Sequence, residues 1–240
     1  MDDAPFDPAP VLGQIASATD DLLAGAARLD DADMRAPSLL PGWTRGHVLT
    51  HLARNADGGT RLLTWARTGE ESHEYPSMEA RAAEIEAGSG RGAGELVADV
   101  RAAADRFAAA YALMPAEAWE HVVQWTSGVR RPAVRAADAR LTEVLVHHVD
   151  LGGGFTPAHW PPEFTARLLG RVVTSFAQRE DAEALRIRLH AIDTGIQYGD
   201  GSTIVRGPQA ALLAWLMGRS NGDGLKTDDG TPLPSPPFLF

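Results

Sequence analysis

The chain has 240 residues, 44% of them hydrophobic and 22% charged, an ordinary globular composition with room for one large domain or two modest ones. Its net charge of −10 argues against a nucleic-acid or anionic-membrane partner, and the absence of cysteine excludes disulfides, zinc–thiolate sites and cysteine nucleophiles. The start, MDDAPFDPAP, lacks a basic segment followed by an apolar run, and no stretch approaches ~18 uninterrupted apolar residues, so neither a signal peptide nor a membrane span is expected and a cytoplasmic location is the default.

From Pro10 to Leu29, Val11, Ile15, Leu22, Leu23 and Leu29 fall on one stripe and predict a first amphipathic helix. The proline- and glycine-punctuated segment Pro37–Trp43 is a loop, after which Thr44 can N-cap a second helix running to Thr68. A loop at Glu70–Pro76 precedes a short helix capped by Ser77 and ending near Glu86, and GSGRGAG at Gly88–Gly94 reads as a flexible break. Alanine-rich Glu95–Met114 is a third long helix. Pro115–Arg131 is irregular, with a turn or hairpin carrying Trp119 and Trp125. Pro132 can open a fourth long helix that reaches Leu151 and stops at Gly152–Gly154.

Four long helices make residues 1–152 a four-helix bundle, and Gly152–Pro162 reads as a linker. Beyond it, residues 163–240 predict a small α+β domain. It comprises a helix at Glu163–Arg179, a period-two strand at Leu185–His190 and short strands at Thr194–Tyr198 and Thr203–Arg206 joined by Gly199-Asp200-Gly201. A helix at Pro208–Met217 and an extended proline-rich tail complete it.

Glu143 and His147 stand one helical turn apart, so both side chains leave the same face of the fourth long helix. Such pairs also occur as salt bridges on solvent-facing helices. His47 and His51 repeat the spacing on the second helix. If the two helices pack together, His51, Glu143 and His147 can form a three-ligand site with an open position. Only one of the two earlier histidines is needed. The competing reading has His47 capping or bonding a loop and His51 as a satisfied core histidine. Imidazole and carboxylate donors suit zinc, with iron, nickel or manganese as alternatives. His148 points roughly 100° away from the pair. Asp150 either orients a ligand histidine or faces solvent, while Trp43, Arg45 and Asn55 shape a pocket or merely set the helix start.

GWTRGHVLTHLARNADG at Gly42–Gly58, LTEVLVHHVDLG at Leu141–Gly152 and GRSNGDG at Gly218–Gly224 resemble the mycothiol-dependent maleylpyruvate isomerase family, in the DinB-like metal-binding bundle superfamily. The resemblance covers most of the chain. It implies an α+β fold, a DinB-like four-helix bundle followed by a small α/β C-terminal domain. It maps the metal ligands to His51, Glu143 and His147 and a catalytic arginine to Arg219, whose alternative role is a cation at a helix C-terminus. The implied activity is cis–trans isomerisation of a small anionic substrate by reversible addition of a low-molecular-weight thiol, mycothiol or a relative, with Zn2+ lowering the thiol's pKa. Thiol S-transfer to an electrophile and non-catalytic metal binding or ligand sensing are the alternatives. A monomer is compatible with this pattern.

Overall fold

Helix α1 (Pro8–Ala26) begins where the Asp7 side chain accepts from the Ala9 N–H, and it buries Ile15, Leu22, Leu23 and Ala26 along one face. The structure is a computed structural model and describes residues 7–179 and 187–236. Helix α2 (Asp31–Arg35) is a single turn closed by a capping box between Asp30 and Asp33. The long helix α3 (Arg45–Thr68) follows, with the Thr44 hydroxyl accepting from the His47 N–H at its start and Gly69, at φ 77°, ending it. Ser77 caps α4 (Met78–Ser89), and α5 (Ala93–Ala112) comes next.

A 3-10 turn at Ala116–Glu120 leads into an antiparallel hairpin of β1 (Val122–Gln124) and β2 (Arg130–Pro132), and then into α6 (Val134–Asp150). The long helices α1, α3, α5 and α6 form the bundle. Helix α3 packs against α4, α5 and α6, while α1 covers α5 and α6. Leu22, Leu49, Leu52, Leu63, Leu96, Phe107 and Leu141 are fully or almost fully buried at its centre. Glycines let α3 approach its neighbours: a Cβ on Gly59 would lie 2.7 Å from the Phe107 ring, and one on Gly46 would overlap the Ser89 carbonyl oxygen.

Two local expectations in the bundle change. Pro132 does not open α6, because it pairs with Val122 in the hairpin and the helix begins two residues later. The break at Gly88–Gly94 is narrower than its glycines imply, since Gly88 is helical in α4 and Gly94 in α5.

The chain divides into two compact units between Gly154 and Phe155. In the second, Trp160 is buried and meets Phe164 of α7 (Pro162–Ala177) edge-on at 6.0 Å between ring centres. Strands β3 (Ile187–Ala191), β4 (Gln197–Tyr198), β5 (Thr203–Gly207) and β6 (Lys226–Thr227) lie in the order β4-β3-β5-β6. The β3–β5 pair is parallel and its flanking pairs are antiparallel. Between β4 and β5 the chain crosses the start of β3, where Gly199, at φ 76°, leaves no room for a side chain beside the Ile187 carbonyl.

Helix α8 (Gln209–Leu216) packs on α7, β3 and β5. Buried Gln209 ties these elements together: its Oε1 accepts from the Tyr198 hydroxyl at 3.0 Å and its Nε2 donates to the Pro162 carbonyl at 3.3 Å. The strand expected at Thr194–Tyr198 is reduced to its last two residues by a turn in which the Gly195 N–H donates to the Ala191 carbonyl. Strand β6 has no alternating pattern that would announce it. Leu185, Arg186 and residues 237–240 of the expected strand and tail lie outside the described residues. The architecture is α+β, a helical bundle followed by a small unit with a mixed sheet. No helix among the described residues is long and apolar enough to cross a membrane.

Candidate metal centre

His51 sits in α3 among the buried residues Leu49, Leu52 and Ala53, and Glu143 and His147 project from the facing stretch of α6. Glu143 Oε2 is 2.8 Å from His51 Nε2 and 3.2 Å from His147 Nε2. One donor atom from each residue lies within 4.8 Å of the other two. The imidazole rings meet edge-to-face, with centres 4.7 Å apart and planes at 87°. His51 is 3% exposed, whereas the Glu143 side chain keeps 30% of its surface accessible, so the cluster is open on the carboxylate side.

Arg140, one turn before Glu143, joins the two helices. From a position 2% exposed, its Nη1 donates to the Leu52 carbonyl at 2.8 Å and to Asn55 Oδ1 at 3.1 Å. Burial pushes its pKa down to about 10. Asn55 therefore braces the helix pair. Arg45 also braces, donating from Nε to the Leu151 carbonyl at 2.6 Å and from Nη1 to the Asp33 carbonyl at 3.1 Å.

The electrostatics follow from burial and pairing. Burial lowers His51 to about pKa 4 against the opposing pull of Glu143. Burial also lowers His147, but its hydrogen bonds to Asp150 and Glu143 outweigh that and leave it raised. For Glu143, burial would raise the carboxyl, yet the two imidazoles hold it well below its usual range. Asp150, fully buried, is 2.7 Å from His147 Nδ1. The solvent-facing alternative for this residue is thereby excluded. With Nδ1–H donating to Asp150, a neutral His147 ring would keep its Nε2 lone pair for a cation in place of the proton it shares with Glu143, the arrangement a metal-ligating histidine requires. Two imidazoles and a carboxylate converging from two helices, with one histidine oriented by a carboxylate behind it, fit a small divalent cation.

The other two histidines of α3 and α6 are engaged elsewhere. His47 Nδ1 accepts from the Thr44 N–H at 3.2 Å, completing the cap of α3, and its Nε2 is 3.1 Å from Glu86 on α4. Its ring stacks on Trp43, which also approaches His51 edge-on at 5.5 Å. His148 is buried against α1, where Gly25 makes room for its ring. Arg219, just after α8, donates from Nη1 to the Met217 carbonyl at 2.8 Å, an interaction with the C-terminal end of that helix.

Three residues beside the cluster have no signal in the sequence. Arg81 of α4 donates from Nη2 to His51 Nδ1 at 3.1 Å. Its guanidinium carbon is 5.8 Å from the ring centre of Tyr75, which is 2% exposed. The Glu74 carboxyl is raised by burial and then by Glu143. All three come from a loop and a short polar helix with no periodicity of interest.

Fold and cluster together define a class: helical-bundle proteins with a histidine–carboxylate centre between two helices and a small α+β unit appended. Residues 15–152 match the model of the mycothiol maleylpyruvate isomerase N-terminal domain, and residues 159–237 match that of the MDMPI C-terminal domain. The chain belongs to the mycothiol maleylpyruvate isomerase family. A crystal structure of the mycothiol-dependent maleylpyruvate isomerase is similar over 98% of both chains, at 28% identity and a TM-score of 0.88. The crystal structure of a histidine-to-alanine mutant of a mycothiol-dependent maleylpyruvate isomerase aligns equally well, at 29% identity. No curated protein sequence matches the chain.

Proposed function

We propose that this chain is a thiol-dependent cis–trans isomerase acting on maleylpyruvate with mycothiol, and that His51, Glu143 and His147 hold a catalytic zinc ion. The observation that supports this reading is the convergence of two imidazoles and a carboxylate in a chain of this family that contains no cysteine. Isomerisation of a conjugated cis double bond needs a nucleophile that adds and leaves again. A chain without thiols takes that nucleophile from outside. When bound, zinc supplies a positive charge that lowers the pKa of the thiol.

The chain's own groups do the rest. As sulfur bonds to carbon, the double-bond pair moves onto the substrate's keto oxygen. The resulting single bond rotates, and the pair returns as the carbon–sulfur bond breaks. Asp150 holds the His147 ring in one tautomer throughout. Arg219 is proposed to bind a substrate carboxylate through its planar fork of donors.

Purified protein is expected to carry about one zinc per chain and to convert maleylpyruvate to the trans isomer without consuming mycothiol. His51→Ala and His147→Ala should each abolish stoichiometric zinc, and Arg219→Ala should retain zinc while losing most turnover. Full zinc occupancy in both histidine variants would overturn the ligand assignment. Consumption of mycothiol into a stable conjugate would replace the isomerase with an S-transferase, and the lack of any thiol reaction in zinc-loaded protein would leave a binding protein.

A further inference from the structure

Arg81 differs in its partners from Arg45, Arg54, Arg91, Arg106 and Arg140. Arg54, Arg91 and Arg106 are neutralised by Asp57 and Asp99, with the Arg54–Asp99 and Arg91–Asp99 pairs at 2.7 and 2.8 Å. Arg45 donates to two backbone carbonyls, and buried Arg140 donates from Nη1 to the Leu52 carbonyl and Asn55 Oδ1. Arg81 sits beside the metal cluster and, among the described residues, forms no ion pair with a carboxylate; it donates to His51 Nδ1 and also acts on the Tyr75 hydroxyl and the Glu74 carboxyl.

The guanidinium is nevertheless held in place. It lies against one ring, Tyr75, that Arg61 also approaches at 5.9 Å, and Arg61 is itself anchored on the His73 and Glu74 carbonyls. The Arg81 N–H bonds the Ser77 carbonyl within the capped first turn of α4. The side chain is half-buried, so the guanidinium is not sealed off from solvent.

We propose that Arg81 is an anion-binding residue of this site, holding a carboxylate of a small dicarboxylate substrate next to the metal position. This inference rests on the proposed function for the identity of the substrate. A chain with a net charge of −10 and two acidic side chains, Glu74 and Glu143, at the site needs a local cation to hold a dianion. A guanidinium offers a bidentate match to a carboxylate.

The test compares Arg81→Met and Arg81→Lys with the parent, all zinc-loaded. It reads zinc content, maleate binding by tryptophan fluorescence (Trp43 being the reporter beside His51) and steady-state turnover of maleylpyruvate with mycothiol. Arg81→Met should keep its zinc while weakening maleate and raising KM by about tenfold or more, with a smaller change in kcat. Arg81→Lys, which keeps the charge without the fork, should fall between. Unchanged maleate affinity in Arg81→Met would overturn the proposal, as would a parent that binds no maleate. If Arg81→Met loses zinc, Arg81→Lys carries the comparison: weakened maleate at full zinc supports the role, and unchanged affinity reduces Arg81 to a prop for His51. A parent that binds maleate but does not isomerise maleylpyruvate would refute the proposed function, while the binding arm still tests Arg81.

Discussion

Asp150 shows how much one buried carboxylate sets at the residue scale. Fully buried and 2.7 Å from His147 Nδ1, it fixes which nitrogen of that ring faces Glu143. Asp150→Asn should weaken zinc binding by about 10- to 100-fold in a competition titration with a chelator, and unchanged affinity would remove its orienting role. In metal-free protein the two imidazoles act on stability in opposite directions. His51, lowered to about 4 chiefly by burial, takes up its proton more readily unfolded than folded, so stability falls as pH drops from 6.5 towards 4. His147 is raised, so its contribution is fully present below 6.5 and is lost as pH climbs through the higher folded value. Thermal midpoints of metal-free protein should therefore peak near pH 6.5, and His147→Gln should flatten the alkaline side alone. A midpoint still falling above neutral pH in that variant would contradict the assignment.

At the scale of elements, the contact between α3 and α4 is made by glycine. Gly46 faces the Ser89 carbonyl and Gly88 faces the Thr50 side chain, so the glycine-rich stretch that reads as flexible is partly a close-packing device. A methyl group at Gly46 would meet backbone, which cannot step aside as a flexible side chain can. Gly46→Ala should cost roughly 1–3 kcal/mol in denaturant unfolding and displace α4, the helix that carries Arg81. A cost within ~0.5 kcal/mol would show that the two helices slide apart freely. The caps of α3 and α4 were legible because Thr44 and Ser77 satisfy local N–H groups. The start of α6 was not. Pro132 suits a helix start in isolation, but pairing with Val122 across the hairpin competes for the same residue and prevails.

For the whole molecule, a metal that binds only the folded state adds to its stability by mass action. Zinc at a hundredfold excess over its Kd should stabilise the protein by about 2.7 kcal/mol and shift calorimetric unfolding upwards by several degrees. A chelator should reverse the shift, and a midpoint indifferent to both would argue against a metal bridging α3 and α6. The sequence by itself determined the helical stretches, the change of pattern after Gly152, and the one-turn pairs His47/His51 and Glu143/His147, because capping and helical spacing depend on nearby residues alone. Only the tertiary structure decided that His51 turns to Glu143 while His47 completes a cap, that Asp150 is buried, and that Arg81, Tyr75 and Glu74 border the cluster. Which face of a helix is covered, and which distant segment covers it, follows from packing between elements, and that information is not carried by any one of them.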